Sequence, residues 1–271
     1  KSRRSRPLRP AGRWRVTAGA RSLRGKARRM GPLRGITVLD LSRILAGPWA
    51  TQGLADFGAQ VIKIERPDTG DDTRSWGPPY LKGPDGRDTT ESAYFASTNR
   101  GKQSVAVDFS RPEGQDIVRR LAARADIVVE NFKVGGLARM GLAYTDLAPL
   151  NARLIYCSIS AFGQSGPAAA APGYDAMIQG MGGLMSVTGR PDEEPGGGPQ
   201  KVGIAVSDLM AGMYALSAIL GALVLAIWIF PEVNEVIFTI LVFIVVLFDA
   251  GILVKTRKKK ANKNKDENLQ R

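Results

Sequence analysis

From Ile36 onward short apolar runs alternate with stretches of helical character, and this alternation constrains the fold more than any other feature of the chain. ITVLDL reads as a buried strand, LAGP as a loop, Trp49–Phe57 as a short helix and VIKIE (Val61–Glu65) as the next strand. Ser104–Phe109 alternates as a further strand. Ser110-Arg111-Pro112-Glu113 then has the form of a capping box opening a helix with Ile117, Val118, Leu121 and Ala125 on its inner face. Asp126–Glu130 and Leu154–Ile159 read as later strands, with short helices expected up to Met140 and near Thr145–Leu150. Strands separated by helices predict an α/β fold: a Rossmann-like, mainly parallel sheet with right-handed crossovers and flanking helices. Between Arg66 and Asp88 the Gly and Pro content predicts an irregular functional loop.

Ligands of such sheets sit beyond the carboxyl ends of the strands. The first crossover lacks G-x-G-x-x-G, so a nicotinamide dinucleotide is not indicated. Gly196-Gly197-Gly198 lacks the Walker spacing and reads as a flexible connector. The chain of 271 residues has no histidine and one cysteine. Histidine-based nucleophile systems, His-ligated metals, Cys-zinc sites and an intrachain disulfide are thereby excluded, leaving carboxylates, Lys, Tyr and backbone amides for any chemistry. Cys157, in LIYCSIS, fits a buried strand residue. Asp71 and Asp72 resemble a metal pair but have no third ligand beside them, and no metal is expected.

The formal charge of +13 is concentrated at the ends. Residues 1–30 form a basic arm, a targeting segment or untranslated sequence ahead of a start at Met30, the last being favoured because the stretch lacks an apolar helical face. Residues 255–271 form a Lys-rich tail, and the body between is mildly acidic, so no nucleic-acid partner is expected. Residues 224–254 are apolar. Val236–Val254, followed by KTRKKK, is a candidate membrane span that could pair with Leu209–Phe230 as a hairpin, although Asp249 opposes insertion. The competing reading is that this tail is foreign to the body. A cytoplasmic location is expected, with mitochondrial or membrane-associated placement as the alternatives set by the two ends.

In VGIAVSDLMAGMYALSAILGAL (Val202–Leu223), Asp208 falls in the first turn of a helix that Ser207 is placed to cap. There the macrodipole and unpaired N–H groups are expected to keep it ionised, as a carboxylate nucleophile or an ordinary cap requires.

Residues of about 31–223 resemble the class III CoA-transferases, the CaiB/BaiF type. The resemblance is carried, in order, by GITVLDLSRILAGPWATQ, GAQVIKIERPDTGDDTRSWGPP, NRGKQSVAVDFSRPEG, ADIVVENFKVGGLARMGL, LIYCSISAFGQSGP, PGYDAMIQGMGGLMSVTG and VGIAVSDLMAGMYA. It implies that Asp208 is the catalytic nucleophile, attacking an acyl-CoA thioester to form an anhydride and then an aspartyl-CoA thioester. It implies that Leu45 and Ala46 flank the thioester, that Arg66, Asn131, Phe132, Arg139, Met140 and Tyr174 contribute to the CoA site, and that Trp76 is an active-site tryptophan. Asp175 is the rival carboxylate, but Tyr174 is the residue of its motif that matches the family. Formyl-CoA transferase has a glutamine in place of Leu45, which disfavours oxalate and formate. The resemblance further implies coenzyme A as substrate and carrier with no permanently bound cofactor, a carboxylic or dicarboxylic acid as co-substrate, and a homodimer. The family fold continues beyond the matching stretch, so this α/β unit is expected to be incomplete. The alternative function is an inactive or membrane-tethered module that binds CoA or another subunit.

Overall fold

A computed structural model describes residues 31–229; the basic arm, the Val236–Val254 span and the Lys-rich tail lie outside the described residues. The chain divides into two compact units, the first ending at Leu216 and the second beginning at Ser217.

The first unit is built on a parallel sheet. Strand β1 (Thr37–Asp40) leads through a loop into helix α1 (Ala46–Asp56), which returns the chain to β2 (Gln60–Glu65). The helix begins earlier than the Gly-Pro pair in its sequence suggests, because Pro48 falls in the first turn, where its missing N–H has no helical partner to lose. The stretch expected to be irregular contains a short 3₁₀ turn, Asp72–Ser75, and an antiparallel hairpin of β3 (Tyr80–Lys82) and β4 (Asp88–Ser92). Gly and Pro there punctuate regular structure without forbidding it. Ser92 caps helix α2 (Ala93–Asn99) by accepting the Phe95 N–H.

The chain then enters β5 (Gln103–Ala106), an exposed edge strand shorter than expected, and helix α3 (Pro112–Ala122). No capping box forms at α3: the Ser110 hydroxyl bonds to Asp108 and Arg111 is the N-cap residue. Val118 is buried on the inner face as its spacing predicts, together with Ala122, and Ile117 and Leu121 pack at its margin; the helix ends before Ala125, which is buried in the turn that follows. Strand β6 (Ile127–Glu130) follows. A 3₁₀ turn at Ala138–Met140, the single-turn helix α4 (Tyr144–Leu147) and a second 3₁₀ turn at Ala148–Leu150 lead to β7 (Ile155–Ser158). Beyond it lie α5 (Asp175–Met181) and the long helix α6 (Val206–Ile229).

The five strands run parallel in the order β5-β2-β1-β6-β7. Successive crossovers go one way from β1 to β2 and β5, and the other way from β1 to β6 and β7. The crevice between the carboxyl ends of β1 and β6 is therefore the topological switch point. In α6, Val206–Ala226 is long and apolar enough to cross a membrane by length and composition, with a mean hydropathy of 2.1.

Charge is buried along the carboxyl edge of the sheet. Asp40, fully buried at the end of β1, accepts from Lys102 Nζ at 3.0 Å, Thr51 Oγ1 at 2.6 Å and the Ser42 N–H at 2.9 Å. Lys63, inside β2, pairs with Asp71 at 3.0 Å and donates to the Ser42 carbonyl at 2.8 Å. Burial alone would raise the Asp40 carboxyl, but Lys102 and Lys63 with the Ser42 and Thr51 hydroxyls bring it down to about 2. Burial brings Lys102 down to about 8 against the pull of Asp40. At the end of β6, Glu130 has no cation of this kind. Burial raises it to about 7, with the Phe132 N–H at 2.7 Å lowering it only in part.

Two outcomes follow from this edge. Asp40→Asn leaves the buried Lys102 ammonium without its counter-charge and is expected to lower stability by about 3 kcal/mol in urea denaturation at neutral pH. A loss under 1 kcal/mol would show that the carbonyls alone hold the lysine. Between pH 4.5 and about 7, folded Glu130 keeps a proton that the unfolded chain releases, so it makes stability fall as pH rises through that window. In Glu130→Gln the urea midpoint should lose this slope while Phe132 keeps an acceptor; an unchanged slope would assign it to other groups.

Candidate active site

A cavity of about 420 Å³ opens at the switch point, within the first unit. That is the size of a small-molecule cleft. Its walls come from the loop after β1 (residues 43–46), the loop after β6 (131–134), residues 159–161 after β7, the segment 169–174, and the first turns of α6 at Ser207, Asp208 and Ala211.

The loop after β1 is held from both sides. Asn131 reads the main chain of Arg43 with both ends of its amide, accepting the N–H and donating to the carbonyl at 2.8 Å each. Asp71 accepts the Ile44 N–H at 3.2 and 3.4 Å. Ile44 has φ of 68°, a left-handed conformation that a β-branched residue adopts only where its surroundings impose it. Here Lys63, Asp71 and Asn131 impose it, and the result is an abrupt turn that starts α1 at the cavity wall. Leu45, the N-cap residue of α1, makes no side-chain cap bond. The positive end of α1 thus faces the cavity with Leu45 and Ala46.

Asp208 lines the same cavity from the first turn of α6. Its helix is set by close packing on α1: a methyl group at Gly212 would lie 2.6 Å from the Ala46 carbonyl oxygen and 3.1 Å from the Trp49 ring. Only glycine admits this approach one turn after Asp208. Ser207 is not the cap that the sequence suggests. It lies inside the helix, and its N–H is accepted by Asp175 Oδ1 of α5 at 2.8 Å. The Asp208 carboxyl is held above the ordinary range, first by burial and then by the neighbouring Asp175 charge. The expected lowering by the helix terminus is therefore outweighed, because the group is half-buried beside a like charge.

Of the residues singled out in the sequence, the cavity gathers Leu45, Ala46, Asn131, Phe132, Tyr174 and Asp208. Phe132 also packs edge-to-face on Phe109, and Tyr174 is 72% exposed at the rim. Four others lie off the cavity lining. Arg66 is exposed and paired with Asp72, which also binds Arg43. Arg139 is exposed on the 3₁₀ turn and Met140 packs against the core. Trp76 meets the edge of Tyr94 with ring centroids 5.2 Å apart.

Tyr94 was not singled out by its sequence. Burial raises its hydroxyl first, and then the charges of Asp208, Asp175 and Asp71, which places it within electrostatic reach of the candidate nucleophile. In SAYFASTN it reads as one more core aromatic; its partnership with Trp76 crosses the hairpin and leaves no local signal. Cys157 is half-buried on β7, and burial, then Glu130, pushes its thiol up to about 11, so it is a poor nucleophile.

The model of CoA-transferase family III matches residues 33–226. The chain is 55% identical over 193 residues to a succinate–glutarate CoA-transferase of Agrobacterium fabrum, covering 71% of this chain and 47% of that protein. It is 47% identical over 193 residues to the human succinyl-CoA:glutarate CoA-transferase, covering 71% and 42%. The crystal structure of a CaiB/BaiF family protein from Brucella suis superposes with a TM-score of 0.66 at 53% identity, over 72% of this chain and 50% of that one. The chain thus spans about half the length of the relatives it matches. A family match over residues 33–226, most of the described chain, makes this chain a member of CoA-transferase family III.

Proposed function

We propose that the protein transfers CoA from an acyl-CoA thioester to a carboxylic acid, with Asp208 as the nucleophile. One observation carries this reading: in a chain without histidine, a half-buried carboxylate lines a cavity together with Leu45 and Ala46 at the start of α1, where the N-cap side chain makes no bond. The relatives named as succinate–glutarate and succinyl-CoA:glutarate transferases support a dicarboxylic acid as the co-substrate.

The chemistry conserves the thioester's activation. The ionised Asp208 carboxylate attacks the acyl carbonyl, forming a C–O bond and expelling CoA thiolate, which gives a mixed anhydride. The thiolate attacks the aspartyl carbonyl of that anhydride, releasing the first carboxylate and leaving an aspartyl-CoA thioester. The acceptor carboxylate then attacks the thioester to form a second anhydride and free thiolate. Attack of the thiolate on the acceptor's carbonyl yields the new acyl-CoA and restores Asp208.

Each step moves negative charge within the cavity, where the positive end of α1 favours it. Arg43, on the cavity wall, has an Nε donor with no partner among the described residues, and a guanidinium suits a carboxylate or a phosphate. The raised proton affinity of Asp208 makes it a better nucleophile once ionised, and sets an acid limb on the rate.

A second reading, a module that binds CoA or another subunit without turnover, draws on the apolar character of α6. One experiment separates the two. After incubation of the full chain with succinyl-CoA, the peptide containing Asp208 should carry a CoA-bearing or hydroxylamine-sensitive adduct. Asp208→Ala should lose the adduct and reduce transfer by at least about a thousandfold. Absence of any adduct from folded protein would favour the binding module, and full transfer by the alanine variant would remove Asp208 from the chemistry.

A further inference from the structure

Asp175 is buried at the start of α5, and its carboxylate joins that helix to the segment that leads into α6. One carboxylate oxygen accepts the Ser207 N–H at 2.8 Å. The other accepts from Gln179 Nε2 at 2.7 Å, with Lys201 Nζ 3.7 Å away. Gln179, 1% exposed, uses its own carbonyl to accept the Val202 N–H at 2.9 Å and its amide to reach the Ile204 carbonyl at 3.3 Å. Asp175 and Gln179 sit one turn apart on α5, so a single helix face grips the lead-in to α6 at Val202, Ile204 and Ser207.

We propose that Asp175 is the positioning residue of this site: it fixes the first turn of α6, and with it the Asp208 side chain that this turn brings to the cavity. The role extends the proposed function, resting on Asp208 as the nucleophile. It also accounts for an otherwise costly arrangement, two carboxylates held close in a half-buried setting, one satisfied by hydrogen bonds and the other left facing the cavity.

Asp175 satisfies its charge through the Ser207 N–H, Gln179 and the distant Lys201; Asp208 receives its field. The other titratable or charged groups on the cavity walls are Arg43, Lys133 and Tyr174, and Tyr94 on α2 lies within electrostatic reach of Asp208. Arg43 is already paired with Asp72. No lysine or arginine is paired with Asp208 among the described residues, so the charge of Asp175 acts on it with little local compensation.

The test reads Asp208 directly and does not depend on turnover. In the full chain labelled with carboxyl-¹³C aspartate, the Asp208 resonance, identified by its loss in Asp208→Asn, should titrate above the ordinary aspartate range. In Asp175→Asn, where the amide oxygen still accepts the Ser207 N–H, that midpoint should move to lower pH. In Lys201→Met, an exposed change that strips Asp175 of its nearby cation, it should move to higher pH. Hydrogen exchange across residues 202–209 should quicken about fivefold in Asp175→Ala and much less in Asp175→Asn.

A midpoint that is the same in wild type and both charge variants would overturn the proposal, as would unchanged exchange in Asp175→Ala. If Asp175→Asn does not fold, the upward shift in Lys201→Met decides alone. Failure of the underlying reading looks different: Asp208→Ala would keep full transfer whatever the titration shows.

Discussion

The paired buried lysines at the carboxyl edge of the sheet are the constraint on which the site depends. A parallel strand that ends at a switch point must turn sharply into its helix, and its last carbonyls and its acid have no neighbouring strand to meet. Lys63 reaches across from β2 and Lys102 from the start of β5, and between them they satisfy Asp40, Asp71 and the carbonyls of Ser42 and Pro48. Taking two ammonium groups out of water costs several kcal/mol each, and this is recovered only because nearly every donor finds a fixed partner. The arrangement therefore tolerates little movement in the loop between β1 and α1. Ile44 is held in a conformation it would not choose, and the start of α1 is delivered to one place.

The remainder of the cavity is assembled against that fixed wall. Asn131 ties the loop after β6 to the main chain of Arg43, which closes the crevice between the diverging halves of the sheet. Gly212 lets α6 approach the Ala46 carbonyl closely, so the distance from α1 to Asp208 is set by backbone packing and not by long side chains. Leu216 lies against Gly53 in the same way one turn further on. Precision of this kind suits the role proposed for Asp208, since a nucleophilic carboxylate has to meet a carbonyl carbon in a fixed geometry.

The sheet was legible in the sequence because buried parallel strands leave unbroken apolar runs, and the order of runs and helices then leaves few topologies. Lys63 inside VIKIE was itself a signal, a charge in the middle of a strand with both faces covered, which requires a buried partner. The partner could not be named, because Asp71 lies in a segment whose Gly and Pro content hid the turn that presents it. The hairpin of β3 and β4 was missed for the same reason. Among the residues that the resemblance implied, Leu45, Ala46, Asn131, Phe132, Tyr174 and Asp208 line the cavity, while Arg66, Trp76, Arg139 and Met140 lie off it. Tyr94 and the role of Asp175 arise from contacts across the chain, with Ser207 lying 32 residues beyond its cap, and no local pattern encodes such a pairing.

The proton affinities along this edge show how one fold separates structural from reactive carboxylates. Asp40 and Asp71 lie beside lysines and are held below the ordinary range, so they stay charged and serve as fixed anchors. Asp208 is also removed from water, but its near neighbour is another acid, and its proton affinity moves the opposite way. Burial is common to all three; the sign of the neighbouring charge decides the outcome. Half-buried and paired with no cation among the described residues, Asp208 has the properties that the proposed attack on a thioester calls for. Under the proposed function, a chain without histidine activates an ordinary aspartate by the charges placed around it, and the buried lysines hold the loop that shares its cavity.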